Sequence, residues 1–348
     1  MQFLADYGLF LAKTVTLIVG LLILVAGIVA LSQRKHKESE GHIEVKDLGA
    51  RFEEFEQDIK HAILFEDELK AEHKAQRKKE KLEEKERKKH KDKKEEDKKR
   101  IFVLDFDGDV KASAVENLRE EISAILTLSQ PGEQVLVRLE SSGGMVHSYG
   151  LAASQLQRLV NAQLELIIAV DRVAASGGYM MACIGKQIIA APFAIIGSIG
   201  VMAQLPNVNR LLKKHDVDIE LHTAGEFKRT LTVLGENTEK GRQKFLEELE
   251  ETHMLFKQFV SQHRPQLDIN SVATGEVWYG SQAVDNQLID AIKTSDEFLM
   301  EHRKDHDLFL VSYVEKKPWQ EKLGLAVDAS IERVLMRWLN QLSQRFFW

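Results

Sequence analysis

Four short glycine-bearing segments hold the residues whose types and spacing could do chemistry. They are Glu140-Ser141-Ser142-Gly143-Gly144, Ala175-Ser176-Gly177-Gly178, Gly197-Ser198-Ile199-Gly200 and Gly225-Glu226-Phe227-Lys228. Each alone is a turn signal, and most such turns are structural. Together, in this order, they read as a hydrolytic site. A serine hydroxyl is a weak nucleophile until a base takes its proton, and two bases offer themselves to Ser176. His147 is the only histidine close to one of the first three loops. Lys228 serves if a dry setting lowers its pKa from about 10.4 toward 7–8. Apolar neighbours would hold its amine neutral, and Ser198 would orient it by hydrogen bonding. An acyl-Ser176 intermediate would form, and protonated Lys228 would supply the proton of the leaving amine. The oxyanion needs fixed donors. Gly177 is expected at a helix N-terminus, where backbone N–H groups are free. Gly143 brings a second N–H close because no side chain blocks the approach, with Gly144 in reserve.

The segments that must position these loops read as alternating strands and helices. At Ile101 the composition turns abruptly to IFVLDFDG, a buried-strand pattern ending in a turn. A helix over Ser113–Leu126, the strand QVLVRLE, a helix near Ser148–Val160 and the strand LELIIAV follow. Next, DRVAASGGYMMACIG reads as a loop entering a helix. This alternation argues for a layered α/β domain with a largely parallel sheet, whose functional loops lie at strand ends. Gln187–Asn209 is free of charge and mimics a membrane span, but Pro192, Gly197, Gly200 and Pro206 break it. It reads as a strand in QIIAAP, a turn in GSIG and a second strand in VMAQ. Asn237 is expected to cap a long helix running to about His263, stopped by Arg264-Pro265.

Upstream, Thr14–Gln33 is an uncharged run of 20 residues flanked by Lys13, Arg34, Lys35 and Lys37. That length matches the roughly 30 Å hydrocarbon core of a bilayer, and no A-x-A-like site closes it, so an uncleaved anchor is expected. Residues 47–100 read as mostly helical. Residues 72–100 carry 15 Lys/Arg against 9 Asp/Glu, so a basic stalk precedes a mildly acidic body in a chain of net charge −6. This division argues against a nucleic-acid-binding domain, which would carry its basic residues on the folded surface. The basic flank after the anchor favours the body on the cytoplasmic side. One cysteine, Cys183, excludes an intramolecular disulfide, and the 12 histidines show no ligand spacing. No metal and no nucleotide cofactor is expected. Ile331, Val334, Leu335, Trp338, Leu342 and Phe346 form a helical stripe near the C-terminus. The expected domains are an anchor (1–33), a charged stalk (34–100), a catalytic domain (101–300) and a C-terminal extension with an amphipathic helix (301–348).

Over residues 100–300 the sequence resembles the signal peptide peptidase A family, most closely its single-domain, SohB-type members. Ala175–Tyr179 matches the A-S-G-G-Y nucleophile loop, and Gly225–Lys228 matches the G-x-[YF]-K segment that carries the base. The family's N-S-P-G-G loop stands here as Glu140–Gly144, with Asn and Pro replaced and both glycines kept. The resemblance implies a ClpP/crotonase-like α/β fold and a dyad of Ser176 and Lys228, 52 residues apart, with Ser198 at a position where the family also keeps a serine. It further implies a homo-oligomer that encloses its sites, and peptide or unfolded, membrane-derived substrates that include released signal peptides. It places the chain at the bacterial inner membrane with a periplasmic catalytic domain, against the charge distribution. Two rival readings share parts of the pattern. Crotonase-like acyl-CoA enzymes share the fold but do not need the Ser–Lys pair, and a non-catalytic membrane scaffold would bind peptides without cleaving them.

Overall fold

The computed structural model describes residues 7–11, 13–20, 41–65 and 99–315. Ile43–Tyr313 form one compact unit, and in the other unit residues 7–11 and 13–20 are helical. Among the described residues no helix is long and apolar enough to cross a membrane. The expected anchor from residue 21 onward, the charged run 66–98 and the C-terminal stripe lie outside the described residues.

Strand β1 (His42–Asp47) runs straight into α1 (Leu48–Ile63). Asp47 caps that helix by accepting the Ala50 N–H at 2.9 Å. There follow β2 (Lys99–Gly108), α2 (Val115–Leu128), β3 (Gln134–Ser141), α3 (Val146–Asn161) and β4 (Glu165–Val170). The short β5 (Val173–Ala175) leads into α4 (Gly177–Ala182), then β6 (Gln187–Ala190) and β7 (Ile195–Gly197). A long irregular stretch holds only α5 (Asn209–Lys214) before α6 (Glu239–His263). The chain closes through α7 (Ile269–Val272), β8 (Val277–Tyr279), α8 (Gly280–Ala283), β9 (Ala291–Ile292), α9 (Ser295–His302) and β10 (His306–Val314).

The strands form one sheet in the order β1-β10-β2-β3-β4-β6-β9, parallel from β10 to β9. Alternate residues go to opposite faces, so the apolar runs cover both sides. Phe102, Leu104, Phe106, Val135, Val137 and Leu139 pack with Leu118 and Ile122 of α2 and Tyr149 and Leu156 of α3. On the other face Ile101, Val103, Leu136 and Ile167 meet Leu48 of α1 and Phe298 and Leu299 of α9. Each such fully buried side chain contributes about 1.5–3 kcal/mol. At the end of β3 the sheet branches. Ser141 pairs with Ala174 of β5, β7 runs parallel to β5, and β8 runs antiparallel to β7.

The expected helices and strands of residues 101–190 are present, with ends shifted by a residue or two. Gln187–Asn209 gives two strands to the sheet, but the second is Ile195–Gly197, and residues 201–208 are irregular. Thr238, not Asn237, caps α6, accepting the Gly241 N–H at 3.1 Å. Asn237 is already committed to the preceding turn: its Oδ1 accepts the Thr232 N–H and its Nδ2 donates to the Thr232 carbonyl. The sheet also takes in β1 and β10, from segments expected to be stalk and C-terminal extension.

Candidate active site

At the branch Ser141 of β3 pairs with Ala174 of β5, so the loop after β3 lies beside the turn after β5. Ser176 follows β5 directly, immediately before the first residue of α4, and its N–H donates to the Gly197 carbonyl at 2.8 Å. Its backbone lies at φ 53°, ψ −117°, a conformation that favours glycine. The sharp turn sets the Ser176 hydroxyl at the helix N-terminus, where the Gly177 N–H has no intrahelical acceptor. Ser176 is partly exposed, whereas Gly177 and Gly178 are buried.

Gly143 meets this turn from β3. Its φ is +86°, and a methyl group there would lie 2.6 Å from Gly177 N and 2.8 Å from Ser176 Cβ. Glycine therefore keeps open the space beside the Gly177 N–H. The Gly143 N–H itself donates to Ser141 Oγ at 3.1 Å. The Gly144 N–H meets no acceptor among the described residues. Beneath the loop, Ser141 Oγ and the Tyr149 hydroxyl lie 2.5 Å apart, and Tyr149 donates to the Asp109 carbonyl at 2.7 Å. Burial pushes the Tyr149 phenol up from its ordinary pKa, partly opposed by the Ser141 hydrogen bond, so it stays protonated.

The structure thus brings together Ser176, Gly177 and Gly143, with Gly144 packed against Val110, and it sets Ser198 next to Gly197, the residue that holds Ser176. Ser198 has φ 51°, and its N–H donates to the Glu276 carbonyl at 2.6 Å. Among the described residues no hydrogen bond joins Lys228 to any of them. It sits in an exposed turn closed by Gly225, whose carbonyl accepts the Lys228 N–H at 3.2 Å, and its amine makes no hydrogen bond among the described residues. The dry surroundings expected for this lysine are absent from the single chain, because residues 217–229 are all exposed. His147 is likewise exposed, in the first turn of α3. Cys183 is no rival nucleophile. It is fully buried, its thiol donates to the Met180 carbonyl, and burial pushes its pKa up. Sequence reasoning missed Tyr149 and Ser141. A tyrosine within the apolar stripe of α3 (Tyr149, Ala152, Ala153, Leu156) was the available signal, since a buried phenol needs a partner.

A family model described as the N-terminal region of peptidase family S49 matches residues 2–156, and the model of peptidase family S49 itself matches residues 158–308. The "probable protease SohB" of Haemophilus influenzae is 51% identical over 350 residues, covering 99% of each chain. The chain belongs to peptidase family S49. Two further S49 relatives, both named "probable protease SohB", come from Buchnera aphidicola subspecies. One, of subsp. Acyrthosiphon pisum, is 47% identical over 97% of this chain and 98% of its own; the other, of subsp. Schlechtendalia chinensis, is 46% identical over 86% of this chain and 99% of its own. This S49 member is therefore a serine peptidase of the SohB type, and its mixed α/β architecture with a large sheet suits that family.

Proposed function

We propose that the chain is a membrane-anchored serine endopeptidase that cleaves peptides or unfolded, membrane-derived segments through a Ser176–Lys228 dyad. The observation that carries this reading is the backbone of Ser176, held at positive φ against an open helix N-terminus. Unstrained serines have no need of such a turn, and strained backbone concentrates at functional sites.

The neutral Lys228 amine takes the Ser176 proton as Oγ attacks the scissile carbonyl carbon. N–H groups of Gly177 and of the Gly143–Gly144 turn stabilise the resulting oxyanion. Collapse breaks the C–N bond, the ammonium of Lys228 returns its proton to the leaving amine, and the acyl group stays on Ser176. Water, deprotonated by the same lysine, then releases the acid. Ser198 orients the amine. Residues 14–33 anchor the chain in the bacterial inner membrane, and the catalytic unit has a ClpP/crotonase-like fold. No metal or cofactor takes part in this scheme.

Lys228 needs desolvation that one chain does not supply. The segment that carries it exposes Met202, Leu211, Leu221 and Phe227, an apolar surface suited to a second copy of the chain. A homo-oligomer would dry the lysine and complete the site.

The test is hydrolysis of a fluorogenic peptide panel by the full chain in detergent, beside Ser176→Ala and Lys228→Ala. Both folded variants should fall at least about 10³-fold in kcat. Full activity in Lys228→Ala would remove lysine from the mechanism and turn attention to His147.

A further inference from the structure

The buried hydroxyl pair beneath the glycine loop enters none of the steps above, yet it fixes how that loop presents its peptide groups. Tyr149 and Ser141 are both buried, at 0% and 2% exposure. A phenol has one proton, and Tyr149 gives it to the Asp109 carbonyl at 2.7 Å. At the 2.5 Å contact between the two hydroxyls Ser141 must therefore be the donor. Its remaining lone pairs then face the Gly143 N–H, which donates to it at 3.1 Å. The proton order is Gly143 N–H to Ser141, Ser141 to Tyr149, Tyr149 to Asp109. The Gly108 carbonyl, 3.3 Å from Ser141 Oγ, is the longer alternative acceptor.

Filling the core does not call for these hydroxyls. Phenylalanine offers the same ring without the desolvation cost of a phenol. The surroundings are nonetheless shaped around the oxygens: a methyl group at Gly108 would lie 2.6 Å from the Tyr149 hydroxyl and 2.7 Å from Ser141 Oγ. The Tyr149 ring also underlies Gly177, where a methyl group would lie 2.4 Å from Cγ. One side chain thus supports both halves of the oxyanion site.

We propose that Tyr149, acting through Ser141, is a positioning residue for the oxyanion loop. It turns the Gly143 N–H inward and leaves the Gly144 N–H as the loop's donor to the reacting carbonyl, beside that of Gly177. The inference rests on the Ser176 peptidase reading.

The experiment measures peptide hydrolysis and inhibition by a peptide boronate, whose serine adduct is tetrahedral, using the full chain in detergent. Wild type, Tyr149→Phe, Ser141→Ala and the double variant are compared, with folding followed by circular dichroism. Tyr149→Phe should lower kcat about tenfold with KM within about twofold, as expected for a misaimed donor, and weaken the boronate by the same factor. The double variant should be no worse than the more damaged single variant, because the two hydroxyls act as one chain. If Tyr149→Phe does not fold, Ser141→Ala, which removes one oxygen, carries the test alone. Wild-type kcat in the folded variants overturns the proposal, as does a rise in KM alone or strictly additive losses. Ser176→Ala separates the two failures. Hydrolysis that survives it defeats Ser176 as the nucleophile, whereas Ser176-dependent hydrolysis with silent Tyr149 and Ser141 variants defeats only this inference.

Discussion

Ser176 occupies a backbone conformation made for glycine, and this makes its replacement unusually informative. At φ 53°, ψ −117° a residue with a Cβ carries about 1–3 kcal/mol of strain. Ser176→Gly removes that strain but gives the unfolded chain extra freedom, which costs roughly 0.5–1 kcal/mol. Ser176→Ala keeps the Cβ and hence the strain. The glycine variant should therefore be the more stable of the two by about 1 kcal/mol. For a body of this size that is about 2–4 °C in Tm. Differential scanning calorimetry of the full chain in detergent reads the difference, and a peptidase assay run alongside should find both variants inactive. A glycine variant no more stable than the alanine variant would refute the reasoning, because the turn would then store no strain in Ser176. The same result would remove the observation on which the proposed role of Ser176 rests.

Gly143→Ala should cut kcat about 100-fold while the protein stays folded. The new methyl would sit 2.6 Å from Gly177 N, and relieving that overlap displaces the loop by a large fraction of an ångström; steady-state kinetics beside a thermal melt checks it. Glu121 gives a pH dependence. It is 6% exposed, accepts the Tyr313 N–H at 2.8 Å, and burial pushes its carboxyl up to about 7, against the pull of that hydrogen bond. The folded chain then holds a proton that the unfolded chain releases near the ordinary value of 4.5. This contribution to stability is complete below that value and is lost as pH rises toward 7. Glu121→Gln keeps an oxygen for Tyr313 and should flatten the decline, raising stability at pH 8 but not at pH 4; urea midpoints at the two pH values decide.

The central strands were legible because β2, β3, β4 and β6 are covered on both faces, which leaves near-continuous apolar runs in the sequence. β5 was not, since three residues, Val173–Ala175, carry too little pattern to stand apart from a loop. β10 pairs with β2 at the far end of the catalytic body, and no local signal in HDLFLVSYV names that partner. The Asn237 cap misled for a related reason: Asn and the adjacent Thr238 are both good caps, and the 232–237 turn decides between them. At the site, the Ser176 loop and the glycines of residues 143–144 were readable from turn chemistry. The approach of Gly143 to Gly177 was not, because it depends on how β3 and β5 diverge. Tyr149 stayed hidden inside an ordinary apolar stripe, and the exposure of Lys228 follows from a long segment that packs little against its own chain.

The sheet order also has a consequence for the newborn chain. β2 lies between β10 and β3, but β10 leaves the ribosome about 200 residues after β2, some 10–40 s later at ordinary elongation rates. Until then one side of β2 is an open ladder of unpaired peptide groups. β1 emerges earlier yet cannot close that side, because its own neighbour is β10. The turn around Ser176 is therefore synthesised, and free to fold on β3, while the opposite margin of the sheet still waits for its last strand. A holding chaperone that recognises extended apolar segments would meet its substrate during that interval, at Ile101–Phe106.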